Sequence, residues 1–252
     1  MEIYIPSRGR PFKQTTFDNL PKELQDRATI AVHGEDFAEY RKNYPVTLLP
    51  DNYRGIGNAR HFLITKARSK KVVMLDDDLV FATRRKDDPT KFQPSTDYEI
   101  VKAFEEIEAA LSEYAHVGIA TREGGNRRTE RTYQVSRMLR VLAYRRDIYK
   151  THAPYFHRLP VMEDFDVTLT LLRKGYPNLI LNWIVQNQNG SNLAGGCSIY
   201  RDSSVQEEAA FKLAEIHSPF VRTVTKTPKQ AWGGHTRTDV IISWKKAYDS
   251  AD

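Results

Sequence analysis

The segment KKVVMLDDDLV, Lys70–Val80, sets the tightest limit on the fold. Its apolar stretch, Val72–Leu75, is too short for a helix and too uniformly apolar for a strand with one wet face. It reads as a strand buried on both sides, as in the parallel sheets that helices cover. Asp76, Asp77 and Asp78 then emerge at its carboxyl end, the edge where such folds take their ligands. Adjacent carboxylates repel one another and lose hydration when crowded, so a cation between them is the simplest reason for the cluster. Strand alternation directs Asp76 and Asp78 one way and Asp77 the other. The first pair suits a hard divalent ion, Mg²⁺ or Mn²⁺, with water or phosphate completing its shell.

The remaining pattern agrees with a mainly parallel α/β sheet flanked by helices. EIYIP, ATIAVHG, PVTLLP and HVGIAT read as further strands, and Ile100, Phe104, Ile107, Leu111 and Tyr114 line one face of a helix between them. Neither a repeat nor a Pro/Gly/Ser linker divides residues 1–252, which read as one domain. At 40% hydrophobic residues the chain can bury a substantial core. One cysteine, Cys197, excludes an internal disulfide framework. No apolar run at the start is long enough for a signal peptide or membrane helix, so a cytoplasmic location is expected. The net charge of +6 favours a polyanionic partner.

Three further stretches carry candidate chemistry. PSRGRP, residues 6–11, follows the first strand; Gly9 lets backbone approach a ligand, and Arg8 and Arg10 match phosphate. In NYRGIGNARHFLITKAR, Gly55 and Gly57 precede a helix whose first turn carries Asn58 and Arg60. Arg60 stands where a dinucleotide fingerprint needs its third glycine, so a nicotinamide cofactor is excluded. In LPVMEDFDVTLTLLRKGY, Glu163, Asp164 and Asp166 open a helix that stops at Lys174 and Gly175. Those acids complement the helix dipole, and one of them is also placed to serve as a general base.

Basic residues gather in REGGNRRTERTYQVSRMLR, with Arg122, Arg127, Arg128, Arg131, Arg137 and Arg140 around Tyr133. The later tail interleaves Arg222, Lys226, Lys229 and Arg237 with Trp232. Cations track phosphates and aromatic rings stack on bases, so both segments are candidates for a nucleic-acid groove, and equally for an ordinary charged surface. The loop NGSNLAGGCSIYRD, with Gly195 and Gly196 as hinges, reads as a flap or a plain surface loop.

Taken in order, YIPSRGRP, GIGNAR, the strand ending in DDD and the later EDFD resemble the motifs of GT-A glycosyltransferases. The whole chain, with QNQNGSNLAGGCSIYRD and TDVIISWKKAYD, resembles phage glycosyltransferases associated with TET-type dioxygenases. That resemblance implies a GT-A-like fold and transfer of sugar, from a UDP-sugar, to 5-hydroxymethylcytosine in phage DNA within an infected host. It implies a nucleotide held by Pro6, Ser7, Arg8, Gly9, Gly57, Asn58, Arg60, Asp76 and Asp77, and Mn²⁺ or Mg²⁺ on Asp76 and Asp78. Asp164 would be the base of an inverting enzyme, with Glu163 as substitute, and His217 or His235 would supply a third metal ligand. Arg127, Arg128, Arg131, Gly195, Gly196, Lys226, Lys229, Trp232 and Arg237 would meet the acceptor. A non-DNA acceptor, a metal-dependent phosphatase or nuclease, and a non-catalytic DNA-binding module are the alternatives. The processive-synthase motif Q-x-x-R-W is absent, which argues against a polymerising enzyme.

Overall fold

In the computed structural model, which describes residues 1–124, 128–188, 203–226 and 236–251, the first four strands form a parallel block. β1 (Glu2–Pro6), β2 (Ala28–Val32), β3 (Val46–Leu48) and β4 (Lys71–Leu75) lie in the order β3-β2-β1-β4. Short helices α1 (Thr15–Asn19), α2 (Lys22–Gln25) and α3 (Gly34–Tyr40), then α4 (Ile56–Lys66), make the crossovers. Parallel neighbours need such crossovers because a hairpin cannot reverse the chain twice.

The sheet continues through strands of mixed direction. β5 (Leu79–Arg84) and β6 (Phe92–Pro94) are followed by α5 (Asp97–Ala110), β7 (His116–Thr121), the short β8 (Thr132–Gln134) and β9 (Val141–Arg145). After α6 (Arg146–His152) and α7 (Glu163–Arg173) comes β10 (Asn178–Gln188). The full order is β3-β2-β1-β4-β9-β7-β10-β5-β6, with β8 on β10. β9 runs antiparallel between β4 and β7, whereas β7 and β10 are again parallel. The chain closes with α8 (Ser203–Ile216), the hairpin β11 (Val221–Lys226) and β12 (Arg237–Ile242), and α9 (Trp244–Asp249).

The expected two-sided burial of β4 follows from this layering. Val73 and Leu75 pack with Ile100, Phe104 and Ile107 of α5 on one face. Val72 and Met74 pack with Leu63 and Ile64 of α4, Tyr149 of α6 and Leu171 of α7 on the other. Fully burying each such side chain contributes about 1.5–3 kcal/mol. A capping box between Thr96 and Glu99 starts α5, which satisfies two backbone donors at its free end. Leu169 on the outer side of α7 joins a further cluster with Leu213 of α8, Val221 of β11, Val240 of β12 and Ala247 of α9. With sheet on one side and this cluster on the other, α7 keeps even Glu163, Asp166 and Thr168 buried.

Gly57 is a packing position. A Cβ there would lie 2.1 Å from the carbonyl oxygen of Phe156, so α4 meets the Phe156–Leu159 turn through backbone alone. The sequence reading had set Gly57 beside the nucleotide, whereas its one hydrogen side is filled by protein. Gly57→Ala is expected to lose about 1–3 kcal/mol to this overpacking, read as a lower urea midpoint. An unchanged midpoint would mean that the contact relaxes freely. Among the described residues, no helix is long and apolar enough to cross a membrane.

Candidate functional site

The three aspartates occupy a tight turn between β4 and β5, at the carboxyl edge of the parallel block. Thr16 at the start of α1 fixes that turn. Its N–H donates to the carbonyl of Asp77 (3.1 Å), its hydroxyl donates to the carbonyl of Asp76 (2.5 Å), and the hydroxyl oxygen accepts from the N–H of Leu79 (2.8 Å). On the other side the Asp76 N–H donates to the carbonyl of Arg140 (3.0 Å).

Each carboxylate then meets different surroundings. Asp77 is buried; it accepts from the Ser7 hydroxyl (2.5 Å) and from Arg10 (2.6 Å). Ser7 is itself held by Gln14 and Tyr40, and the N–H of Arg10 donates to the Tyr40 hydroxyl. Asp77 and Ser7 therefore secure the loop after β1, with their polar atoms engaged by protein. Gly9 in that loop takes a φ of +67° in open space, so the residues from Ser7 to Arg10 turn back without strain. Arg8 lies 3.7 Å from Glu35, which Arg54 also holds, and remains partly open to solvent. Pro6 closes β1 in the interior.

Asp76 pairs with Arg60 (2.6 Å), and the same guanidinium pairs with Glu163 at the start of α7. Arg60 and Glu163 are both almost completely buried. Arg60 thus braces the turn after β4 against α7, and Glu163 is enclosed beside it. The Asn58 amide donates to the carbonyl of Arg54 (2.7 Å), which caps the entry to α4. Asp164, beside Glu163, is half-buried; it accepts from the Phe165 N–H (2.9 Å).

Crowding raises the affinity of these acids for protons. Burial pushes Asp77 up to about 6, against the pull of Ser7 and Arg10. Burial also raises Asp78, Glu163 and Asp164; the charge of Asp76 adds to all three. For Asp77 the folded value exceeds the unfolded one, so its contribution to stability is present at low pH and lost as pH rises through about 6. Relative to Asp77→Asn, the wild type is expected to lose about 1 kcal/mol between pH 5 and pH 8. Urea titrations at the two pH values measure this; a constant difference would place Asp77 in a solvated setting.

The distribution of charge near these acids differs from the pattern the sequence suggests. Arg131 is tied to Glu106 of α5 (2.7 Å) and lies over Trp183, on the α5 side of the sheet. Arg128 lies over Tyr133. Neither joins the acid cluster, because the three-residue β8 carries that part of the segment along β10. Arg137 and Arg140, further along, do reach it: Arg137 lies over Phe165 of α7 at 4.6 Å, and the Arg140 carbonyl accepts from the Asp76 N–H (3.0 Å). Lys226 and Arg237 share Asp239 on the terminal hairpin, whose charge also reaches Arg137. Arg127, Gly195, Gly196, Lys229, Trp232 and His235 lie outside the described residues.

His217 is not a metal ligand in this arrangement. Its Nε2–H donates to Asp166 (2.7 Å), which Arg158 also holds (Nε to Oδ2, 2.8 Å), in the interior between α7 and α8. Thr16 and Arg158 are supporting residues that motif reading misses, and neither carries a signal in the sequence; Arg10, which PSRGRP marks as a match for phosphate, pairs with Asp77.

The carboxylates fit a divalent ion in one respect. The charge of Asp76 adds to the cost of ionising Asp78, and a cation between them removes that cost. Among the described residues no cluster of three His, Cys or acids forms a complete cage. Ions of the Mg²⁺ type commonly take one or two carboxylates and fill their shell from phosphate and water, which suits this pair.

The model of the TET-Associated Glycosyltransferase family matches residues 1–196. Two relatives, named beta-glucosyl-HMC-alpha-glucosyl-transferase in Enterobacteria phages T2 and T6, are each 22% identical over 235 residues. The alignment covers 87% of this chain and 81% of each relative. Among solved structures, a mycobacterial protein superposes with a TM-score of 0.54 at 13% identity, over 96% of this chain and 83% of its own. Glucosyl-3-phosphoglycerate synthase from Mycobacterium tuberculosis, in complex with Mn²⁺, UDP-glucose and phosphoglyceric acid, gives 0.51 at 14% identity, over 94% and 85%. These superpositions show the GT-A glycosyltransferase fold read from the motif order, and the family match extends from β1 past α7 and β10 to include Asp76, Asp77, Asp78, Glu163, Asp164 and Asp166. The chain belongs to the TET-associated glycosyltransferase family and is a glycosyltransferase.

Proposed function

We propose that the protein transfers a sugar from a UDP-sugar, with Mn²⁺ or Mg²⁺, to the hydroxymethyl group of 5-hydroxymethylcytosine in DNA. The observation that carries this reading is the division of labour among the acids. Asp77 and Glu163 are enclosed by protein partners, whereas Asp78 and Asp164 are only partly buried, and among the described residues the one ion pair of the two is the 3.5 Å contact of Asp78 with Arg10. Asp76 and Asp78 would hold the ion, which when bound offsets charge on the departing diphosphate. Arg8 lies on the donor side, at the end of β1. Asp164, with its proton affinity raised by burial, suits removal of a proton from the acceptor hydroxyl.

A hydroxymethylcytosine acceptor is supported by the relatives, whose names contain HMC, and by the basic groups near the start of α7. Their names favour a second reading, in which the accepting hydroxyl belongs to a sugar already on the base. Incubation of the protein with Mn²⁺, UDP-sugars and either 5-hydroxymethylcytosine DNA or its glucosylated form, followed by nucleoside mass spectrometry, separates the two. One hexose added to the unglucosylated base is expected; addition only to the glucosylated base selects the second reading, and no adduct with either removes DNA as the acceptor. In the same assay Asp164→Asn is expected to lower turnover by about 10²–10⁴-fold with UDP affinity retained. Turnover like that of the wild type would take Asp164 out of the proton transfer.

A further inference from the structure

The connection between β8 and β9 is held in an unfavourable backbone shape by contacts that leave little freedom. Val135 has φ 52° and Arg140 has φ 64°, both in the left-handed region, which is rare for any non-glycine residue and an outlier for a β-branched one. Between them every main anchor points to the protein. Asn178 takes the Ser136 N–H (3.1 Å) on its carbonyl oxygen and donates to the Ser136 carbonyl (2.7 Å). Met138 is buried against Gly118 of β7, where a Cβ would meet its Cγ at 2.6 Å. The carbonyl of Arg140 accepts from Asp76. Strain of this kind costs on the order of 1–3 kcal/mol per residue and persists only where the surroundings over-determine it.

What the strain positions is a pair of guanidiniums. Arg137 lies 4.6 Å from the ring centroid of Phe165, the residue after Asp164, and Arg140, whose carbonyl accepts from the Asp76 N–H, has a 3.4 Å contact to Gln186. Among the described residues neither forms an ion pair, whereas Arg10, Arg60, Arg131 and Arg158 all do. An aromatic ring under a guanidinium holds its plane without consuming its donors.

We propose that Val135–Arg140 is an anion clamp in which Arg137 and Arg140 together take phosphate oxygens at the mouth of the acid cluster. The source is either the diphosphate of the donor or a phosphodiester of the acceptor strand, and planar guanidiniums suit both. The proposal rests on the glycosyltransferase reading above for the identity of those sources, but its test does not require turnover.

The test compares wild type with the R137A/R140A pair. UDP binding with Mn²⁺ is measured by calorimetry, and binding of a 5-hydroxymethylcytosine duplex by anisotropy at several salt concentrations. At least a tenfold loss in one of the two is expected. A loss confined to DNA, with the slope of log affinity on log salt reduced by about 1 for each phosphate contact removed, identifies the phosphodiester. A loss confined to UDP identifies the diphosphate. Affinities within twofold of wild type for both ligands overturn the clamp, provided the urea midpoint is retained. If the double variant does not fold, R137K/R140K replaces it: the charge stays, the planar fork is lost, and a severalfold weakening is expected, with wild-type affinity for both ligands again overturning the clamp. Absence of sugar transfer by the wild type would refute the proposed function while leaving the UDP arm to judge the clamp.

Discussion

Arg60→Met is expected to destabilise the protein by about 3–5 kcal/mol, the cost of leaving a buried carboxylate without its partner. Arg60 reaches Asp76 across a separation of 16 residues and Glu163 across 103, so one side chain neutralises the end of β4 and the start of α7. Removing it leaves Glu163 in the interior, where burial already raises its proton affinity, and that affinity should rise further. The loss is therefore expected to be greater at pH 8 than at pH 5. A second substitution identifies the cause. Glu163→Gln in the Arg60→Met background removes the orphaned charge and should recover most of the lost stability, a coupling that a double-mutant cycle in urea measures directly. Additive losses in that cycle would mean that the two residues act independently. Arg60→Lys should fall between, because one ammonium cannot match two carboxylates with the fork of a guanidinium.

Asp78→Asn carries the second large effect, on turnover rather than stability. Its carboxylate is half-buried beside Asp76 and has Arg10 at 3.5 Å, a weak contact that leaves it available to an ion. Weakening the hold on a cation that stabilises a developing anion is expected to lower turnover about 10²–10³-fold. The asparagine keeps the shape and removes a desolvated charge, so the unfolding midpoint should stay the same or rise slightly. Turnover measured across a Mn²⁺ titration distinguishes the causes. A deficit partly relieved by high Mn²⁺ indicates weakened ion binding, and wild-type turnover at low Mn²⁺ would exclude Asp78 as a ligand.

The strands of the parallel block were legible because four apolar residues bounded by charge have few places to go. Their alternation onto two covered faces follows from the same fact. The helix from Glu163 and its stop near Gly175 were also legible, from dipole-complementary acids at one end and a glycine at the other. What escaped was partnership across distance. A motif places Arg60 in a first helical turn, but only the packing of α4 against α7 makes it a brace between two acids. Gly57 reads as a ligand glycine until the Phe156 carbonyl fills the space where a Cβ would stand. The arginine-rich segment looks like one stripe, yet β8 takes Arg131 to α5 while the left-handed turn at Val135 sends Arg137 toward Asp164. Charge density along a sequence carries no information about such a change of direction.

The bracing of β4 also has a consequence for synthesis. The strand needs β1, made some seventy residues earlier, and β9, made some seventy residues later, and Asp76 just after it is then joined to α7 through Arg60. A chain still emerging from the ribosome can assemble β1 to β4 while Glu163 remains unmade, and during that interval Arg60 can pair with Asp76 but not yet with Glu163. Pairings so distant in sequence form slowly. The acid cluster should therefore be among the last parts to settle, completed only when the second half of the chain closes over the first.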